Sequence, residues 1–466
     1  MFAALAHLPA RVAVALLLGA PAALHAQQVQ TPPPDSTPRG PVSRARAFPA
    51  VQQALLVNVF VNRLDVCCLD MPTQRVSLNS WSRNLRAGWE WDENQFGTNL
   101  FMHPYHGSLY FNAGRSRGMG FWESAPLSFL GSWTWEFLGE NNRPALNDFF
   151  MTSFGGIALG EMFHRLTAMI RDNQAHGGRR LRRELATLPL DPIGGLNRFL
   201  GRRRVSQEPN PPEHTPGLLV VRLHAGARIL SDSLIKTAGG LPTVMMDLVY
   251  GDPWLEPYHK PFDAFIVRAA IGEGGINLLR ASGRLYGKEM TGPEARHRHL
   301  FQVNQRFDYA SNSAYHIGGQ SVEFGISSRW RLSRNVRFRT QVYLDGIILG
   351  GIDAPGTGVG ERTYDFGPGV GIRLQGVLEI AGVPFVVYFL QSEYVHAVSG
   401  ASADHYVEAS GLELTLPVTR RFGLTAQAID YGRLSRYSDR PDQERQFPEV
   451  RVLLSWTWVS RQRTPQ

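Results

Sequence analysis

The sequence predicts a mainly β protein with a helical N-terminal part: a C-terminal antiparallel transmembrane β-barrel of about 12 strands, preceded by an α-helical domain. Three observations predict this fold. Apolar and polar residues alternate strictly through the C-terminal half. No apolar run beyond residue 26 reaches the roughly 20 residues that a membrane helix needs. A denser, helix-patterned region carrying polar motifs lies between two Pro-rich stretches.

The composition sets the limits. A chain of 466 residues, 43% hydrophobic and 19% charged, is long enough for two domains or one large barrel and too apolar for a disordered chain. Its two cysteines, Cys67 and Cys68, are adjacent, which excludes a disulfide framework and a four-cysteine zinc site. They are expected as small buried thiols. The formal charge is +8, but the chain has three lysines (Lys236, Lys260 and Lys288) and its arginines are spread out. With no recognisable motif beside it, that charge predicts no nucleic-acid partner.

Residues 1–26 read as a secretory signal: Arg11, the apolar run Val12 to Leu18, then small residues up to Ala26. Residues 27–50, with Thr31-Pro32-Pro33-Pro34 and Pro38-Arg39-Gly40-Pro41, read as a Pro-rich linker. A second Pro-rich joint is expected at 206–217.

The barrel is expected over 218–460. Val336, Phe338, Thr340, Val342 and Leu344 oppose Arg337, Arg339, Gln341, Tyr343 and Asp345. Val450, Val452, Leu454, Trp456 and Trp458 oppose Arg451, Ser455 and Thr457. This is the two-residue period of a strand. The strands are long, and Arg and Glu stand on their polar faces. Trp330, Tyr388, Tyr394, Tyr406, Tyr431, Trp456 and Trp458 recur near strand ends as an interfacial girdle would. These features favour lipid-facing strands over a soluble sandwich. A lumen ladder of Arg337 and Arg339 would bias an open pore toward anions.

Between linker and barrel, residues 51–205 form the helical, motif-bearing domain, either a lumen plug or a periplasmic body. Helices are expected from Pro144 to about Ile170, over Trp122–Leu138 and over Gly178–Leu188. Polar residues stand out here: His103 and His106 in HPYHG, Glu136 and Glu140 in WTWEFLGE, Asn147 and Asp148 in ALNDFF, and Glu161, His164 and Arg165 in GEMFHRL. Helical spacing puts Glu136 with Glu140, and Glu161 with His164, on shared faces, with Asp148 near the side of Glu161. The proline in HPYH argues for a turn there.

Five motifs in order, HPYHGSLYFNAGRSRG, WEFLGE, NDFFMTSFGG, GEMFHRL and DPIGGLNR, give this region a resemblance. It resembles a bacterial family catalogued as the domain of unknown function three-nine-four-three, over about residues 90–205. The resemblance implies an exported envelope protein with a barrel behind the motif region. It implies no activity and no residue roles.

The chemistry of the motifs leaves three readings. In the first, the polar groups form a buried network, with Glu136 and Glu140 paired to Arg115, Arg143 or Arg165 and the glycines Gly155, Gly156 and Gly160 as close-packing positions. In the second, His103 or His106 is a general base oriented by Glu140, Asp148 or Glu161, in a hydrolase or transferase acting on an envelope lipid or glycan. In the third, His103, His106, Glu161 and His164 hold a metal such as zinc. No cofactor motif is present, and the absence of G-x-G-x-x-G and P-loop patterns predicts no nucleotide.

The expected protein is therefore an outer-membrane barrel of a Gram-negative cell envelope, in contact with outer-membrane lipid and the barrel-assembly machinery. Its helical domain acts as plug or packing network, or carries the envelope-modifying site. A soluble periplasmic β-rich binding protein is the other alternative. The expected location is the cell outer membrane, with the periplasm as its alternative.

Overall fold

A computed structural model of the chain describes residues 44–200, 216–230, 240–254, 257–272, 275–292, 294–312, 315–354 and 362–461. The expected signal, most of the first Pro-rich linker and residues 206–215 of the second joint lie outside the described residues. The chain divides into a helical unit and a barrel unit.

The helical unit contains α1 (Arg44–Cys68), α2 (Leu78–Ala87), α3 (His103–Arg115), α4 (Phe121–Thr134), α5 (Leu146–Phe150), α6 (Gly156–Ile170), α7 (Gly177–Thr187) and α8 (Pro192–Leu200). Helix α1 begins at Arg44, inside the stretch read as linker up to residue 50. The reason is apolar spacing: Ala50, Ala54, Val57 and Val61 recur at helical intervals and are buried. The last three pack on Leu109, Tyr110, Ala113, Trp135 and Ile193. Cys67 and Cys68 are free and exposed at the end of this helix, not buried as expected.

Three π-helical turns interrupt the unit: Thr98–Met102, Trp135–Gly139 and Met151–Gly155. Each runs directly on from or into an α-helix. HPYH consequently lies on a helix rather than in a turn. His103 N–H reaches back to the Thr98 carbonyl, closing that π-turn, and Pro104, which has no N–H to donate, directly follows His103. The single helix expected from Pro144 is α5, a π-turn and α6 in succession. Close backbone approach fixes the crossing of α3 with this segment. A Cβ on Gly107 would overlap the Thr152 carbonyl, and one on Gly156 would overlap Gly107.

The barrel is closed, antiparallel and twelve-stranded, each strand pairing with its sequence neighbours and β1 with β12. Its strands are β1 (Leu218–Leu230), β2 (Leu241–Tyr250), β3 (Phe265–Gly272), β4 (Gly275–Glu289), β5 (His297–Ser311), β6 (His316–Arg331), β7 (Val336–Asp353), β8 (Tyr364–Ile380), β9 (Val383–His396), β10 (Ala403–Pro417), β11 (Phe422–Tyr437) and β12 (Gln443–Arg461). The closing seam pairs Ala225 with Leu454 and Leu223 with Trp456. The two-residue turn Ala381-Gly382 between β8 and β9 has φ of 51° and 81°, the left-handed pair of a type I′ hairpin.

Polarity in the barrel is inverted relative to a soluble fold. Val450, Val452 and Leu454 point outward and are 50%, 54% and 56% exposed, while Glu449, Arg451 and Ser455 on the other face of the strand are buried. Leu412, Leu424, Leu344 and Phe324 repeat the exposed face, and Glu413, Thr425, Asp345 and Glu323 the buried one. Tyr431 is a correction to the expected girdle. It faces inward, 3% exposed, and stacks on Tyr315 at 4.1 Å.

The lumen is crossed by ion pairs. Arg268 of β3 reaches Glu413 of β10 at 3.4 Å and Asp247 of β2 at 2.6 Å. Arg306 of β5 reaches Asp345 of β7 at 2.8 Å and Glu393 of β9 at 3.3 Å, and Arg433 of β11 meets Asp353 of β7 at 2.8 Å. Arg339 of the expected anion ladder is paired with Glu379 at 2.8 Å. Toward the ends of the odd-numbered strands an apolar cluster including Leu230, Ile317, Ile352, Val395, Tyr431 and Phe447 occupies the interior.

Candidate functional site

The π-turns place the site. A π-turn holds one residue more than an α-helical turn, so it rotates the side chains that follow it onto a different face. His103 directly follows the first π-turn, Glu136 lies within the second, and Asp148 lies three residues before the start of the third, which contains Thr152. One nitrogen of His103 and one carboxylate oxygen each from Glu136 and Asp148 lie within 4.8 Å of one another.

Hydrogen bonds tie each of these side chains to its neighbours. His103 Nδ1 is 3.2 Å from Thr152 Oγ1, and Nε2 is 3.4 Å from Asp148 Oδ2. Asp148 Oδ1 accepts from Asn147 Nδ2 at 2.7 Å. Asn147 Oδ1 in turn accepts the Asp92 N–H at 2.9 Å. Glu136 Oε2 accepts the Ala145 N–H at 2.9 Å, whereas its Oε1 is buried with no hydrogen-bond partner among the described residues.

Burial dominates the electrostatics. It pulls His103 down to about 4, with the nearby Asp92 charge opposing, and holds the Glu136 carboxyl well above the usual carboxylate range, with Glu140 and Asp92 adding to the rise. The neighbouring arginines are engaged elsewhere. Arg115 and Arg165 bind Glu161 at 2.7 and 2.9 Å, and Arg171 binds Asp191 at 3.0 Å.

The other singled-out residues separate from this cluster. His106 lies a turn along α3, with Nε2 2.9 Å from the Tyr110 hydroxyl and its ring against Trp135. Burial pulls it down to about 3, and His103 adds to the shift. Glu140 caps the end of the π-turn that holds Glu136, close enough to add to that residue's rise. It accepts from Trp135 Nε1 at 2.8 Å and Gln74 Nε2 at 3.3 Å, and burial pushes it up to about 7. Glu161 neutralises two arginines, and His164 lies half-buried one turn further along α6.

Two expectations therefore change. Among the described residues the group that could hold a metal is His103, Glu136 and Asp148, not the quartet of His103, His106, Glu161 and His164. The arginine partners expected for Glu136 and Glu140 belong to Glu161, apart from Arg143, which lies 3.7 Å from Glu90. Sequence reasoning missed Thr152 and Asp92. Thr152 stands inside the NDFFMTSFGG motif, one turn past Asp148, which was the available signal. Asp92 in WEWDEN carried none.

None of the curated proteins matches this sequence. Among solved structures, the KdgM porin is similar at 8% identity over 51% of this chain and 99% of the porin, with a TM-score of 0.26. The NanC porin is similar at 9% identity over 49% and 98%, also at 0.26. OmpT, an outer membrane protein of Vibrio cholerae, is similar at 8% identity over 52% and 98%, at 0.20. Residues 88–193, which hold the whole His103–Glu136–Asp148 cluster, match the family described as Domain of unknown function (DUF3943).

Proposed function

We propose that the barrel spans the outer membrane of a Gram-negative envelope and is closed to diffusion. The observation that carries this reading is the inverted polarity: outward Val450, Val452 and Leu454 exposed, inward Glu449 and Arg451 buried. An apolar belt repeated around a closed barrel is unfavourable in water and favourable in hydrocarbon. A soluble periplasmic β-rich binding protein would turn that face inward. Outer-membrane lipid is then the belt's partner, and the barrel-assembly machinery the route of insertion.

Closure follows from what lies inside. Ion pairs from β3 to β10, β5 to β9 and β11 to β7 chord the lumen, and the apolar cluster fills one end.

Outer-membrane fractionation with unheated and boiled electrophoresis tests the span. The full chain is expected in the outer membrane with a heat-dependent shift in mobility. Recovery in the periplasmic fraction without a shift overturns it. In planar bilayers the full chain is expected to give no steady open-pore current, and a stable ohmic conductance refutes closure.

A second reading, an envelope lipid- or glycan-modifying hydrolase or transferase, is favoured by the convergence of His103, Glu136 and Asp148. Its test is the envelope lipid and glycan profile of cells carrying His103→Ala. A profile identical to that of cells expressing the unmodified protein counts against it.

A further inference from the structure

The cluster in the helical unit has the construction of a metal site rather than of a hydrogen-bonded network. In a finished network every buried polar atom finds a partner. Here His103, Glu136 and Asp148 each bring one ligand-type atom within 4.8 Å of the others, and Glu136 Oε1 is buried with no hydrogen-bond partner among the described residues. His103 is held at Nδ1 by Thr152, Asp148 at Oδ1 by Asn147, and Glu136 at Oε2 by the Ala145 N–H. We infer that His103 Nε2, Asp148 Oδ2 and Glu136 Oε1 bind one divalent metal ion of the zinc class.

Four observations support the assignment. First, Glu136 is 2% exposed and its Oε1 has no hydrogen-bond partner among the described residues. Burying a carboxylate oxygen unsatisfied is costly, and a cation satisfies it. Second, the 3.4 Å between His103 Nε2 and Asp148 Oδ2 is long for a charge-assisted hydrogen bond. It matches the roughly 3.3–3.4 Å that separates two ligands of a tetrahedral ion with bonds near 2.0–2.1 Å. Third, a Thr152 hydroxyl accepting from Nδ1–H leaves the Nε2 lone pair for the metal, the usual outer-shell device for metal-binding histidine. Fourth, one ligand-type atom from each of the three side chains lies within 4.8 Å of the other two, close enough to share one ion.

One imidazole and two carboxylates favour an ion that accepts both nitrogen and oxygen, which is the preference of zinc over magnesium or calcium. Three protein ligands also leave a coordination position for water, as catalytic zinc sites do. The site is independent of whether the barrel conducts.

The test uses the full chain in detergent with Cys67→Ser and Cys68→Ser, because two adjacent exposed thiols would themselves take up zinc. The protein is stripped with chelator, loaded with Zn²⁺ and desalted, and retained metal is counted by elemental analysis. About one Zn²⁺ per chain is expected. His103→Ala, Glu136→Gln and Asp148→Asn should each abolish retention, while His396→Ala, an exposed barrel histidine, should keep it. Co²⁺ loading should give visible d–d absorption that disappears with His103→Ala. No retained Zn²⁺, or equal retention in all three variants, overturns the inference. Where those variants fail to fold, Thr152→Val and Asn147→Ala keep every ligand and disturb only orientation. A 10- to 100-fold weaker affinity is then expected, and unchanged affinity in both overturns the site.

Discussion

Arg268 on β3 and Glu413 on β10 meet at 3.4 Å across the lumen, although five steps of strand pairing separate them around the wall. Arg306 does the same from β5 to β9 and faces Asp308, Glu323, Asp345 and Glu393 together. These pairs are enclosed, so removing one partner leaves uncompensated charge rather than a screened surface ion.

Arg306→Ala should therefore cost on the order of 3–5 kcal/mol, the usual penalty for breaking a buried pair. The readout is the temperature at which the folded band converts to the unfolded one on electrophoresis. An unchanged conversion temperature would show that the lumen is wet enough to screen these carboxylates.

Glu161 and Glu136 are both buried acids with opposite prospects. Glu161→Gln strips Arg115 and Arg165 of their shared carboxylate and should destabilise the helical unit by about 3–5 kcal/mol. Glu136→Gln, in metal-free protein, replaces a carboxyl whose ionised form burial already disfavours, and should cost less stability than Glu161→Gln. Thermal melts of the helical circular-dichroism signal compare the two.

Two groups outside the proposed ligand set give the helical unit a pH dependence. Glu140 is raised from 4.5 to about 7, so its contribution is fully present below 4.5 and lost as pH rises toward 7. His106 is lowered from 6.5 to about 3, so its contribution is present above 6.5 and lost as pH falls toward 3. Glu140→Gln should remove the loss on the rising side only. The check is a series of melts from pH 4 to 8, and an unaltered rising-side slope would exclude Glu140 as its source.

Gly107 touches the Thr152 carbonyl and Gly156. Gly107→Ala should cost about 1–3 kcal/mol by forcing α3 away from α6. The displacement would also pull Thr152 from His103, so limited proteolysis should cut the helical unit faster while the barrel band stays intact. Equal cutting rates in variant and parent would mean that the crossing can relax.

The barrel was legible because alternation is local. Val336 to Leu344 on one face and Arg337 to Asp345 on the other need no knowledge of partners, and the same arithmetic repeats along the chain. Tyr431 was misplaced because an aromatic near a strand end suits either face until the register is known. The site was half legible. His103, Glu136 and Asp148 all stood out as polar residues in apolar surroundings, but their grouping did not. Helical spacing assumes a constant turn, and a π-turn lies between Glu136 and Glu140 and another between Asp148 and Glu161.

The three π-turns turn the spacing between motifs into an inherited quantity. A one-residue deletion within Met151–Gly155 would relax that turn to an ordinary helix and swing everything downstream by about 100° relative to Asp148. His103, Glu136 and Asp148 would all survive in the sequence, while Thr152 and the Gly156 crossing moved out of register with them. The number of residues between WEFLGE and GEMFHRL therefore sets the geometry of this site as much as their identities do.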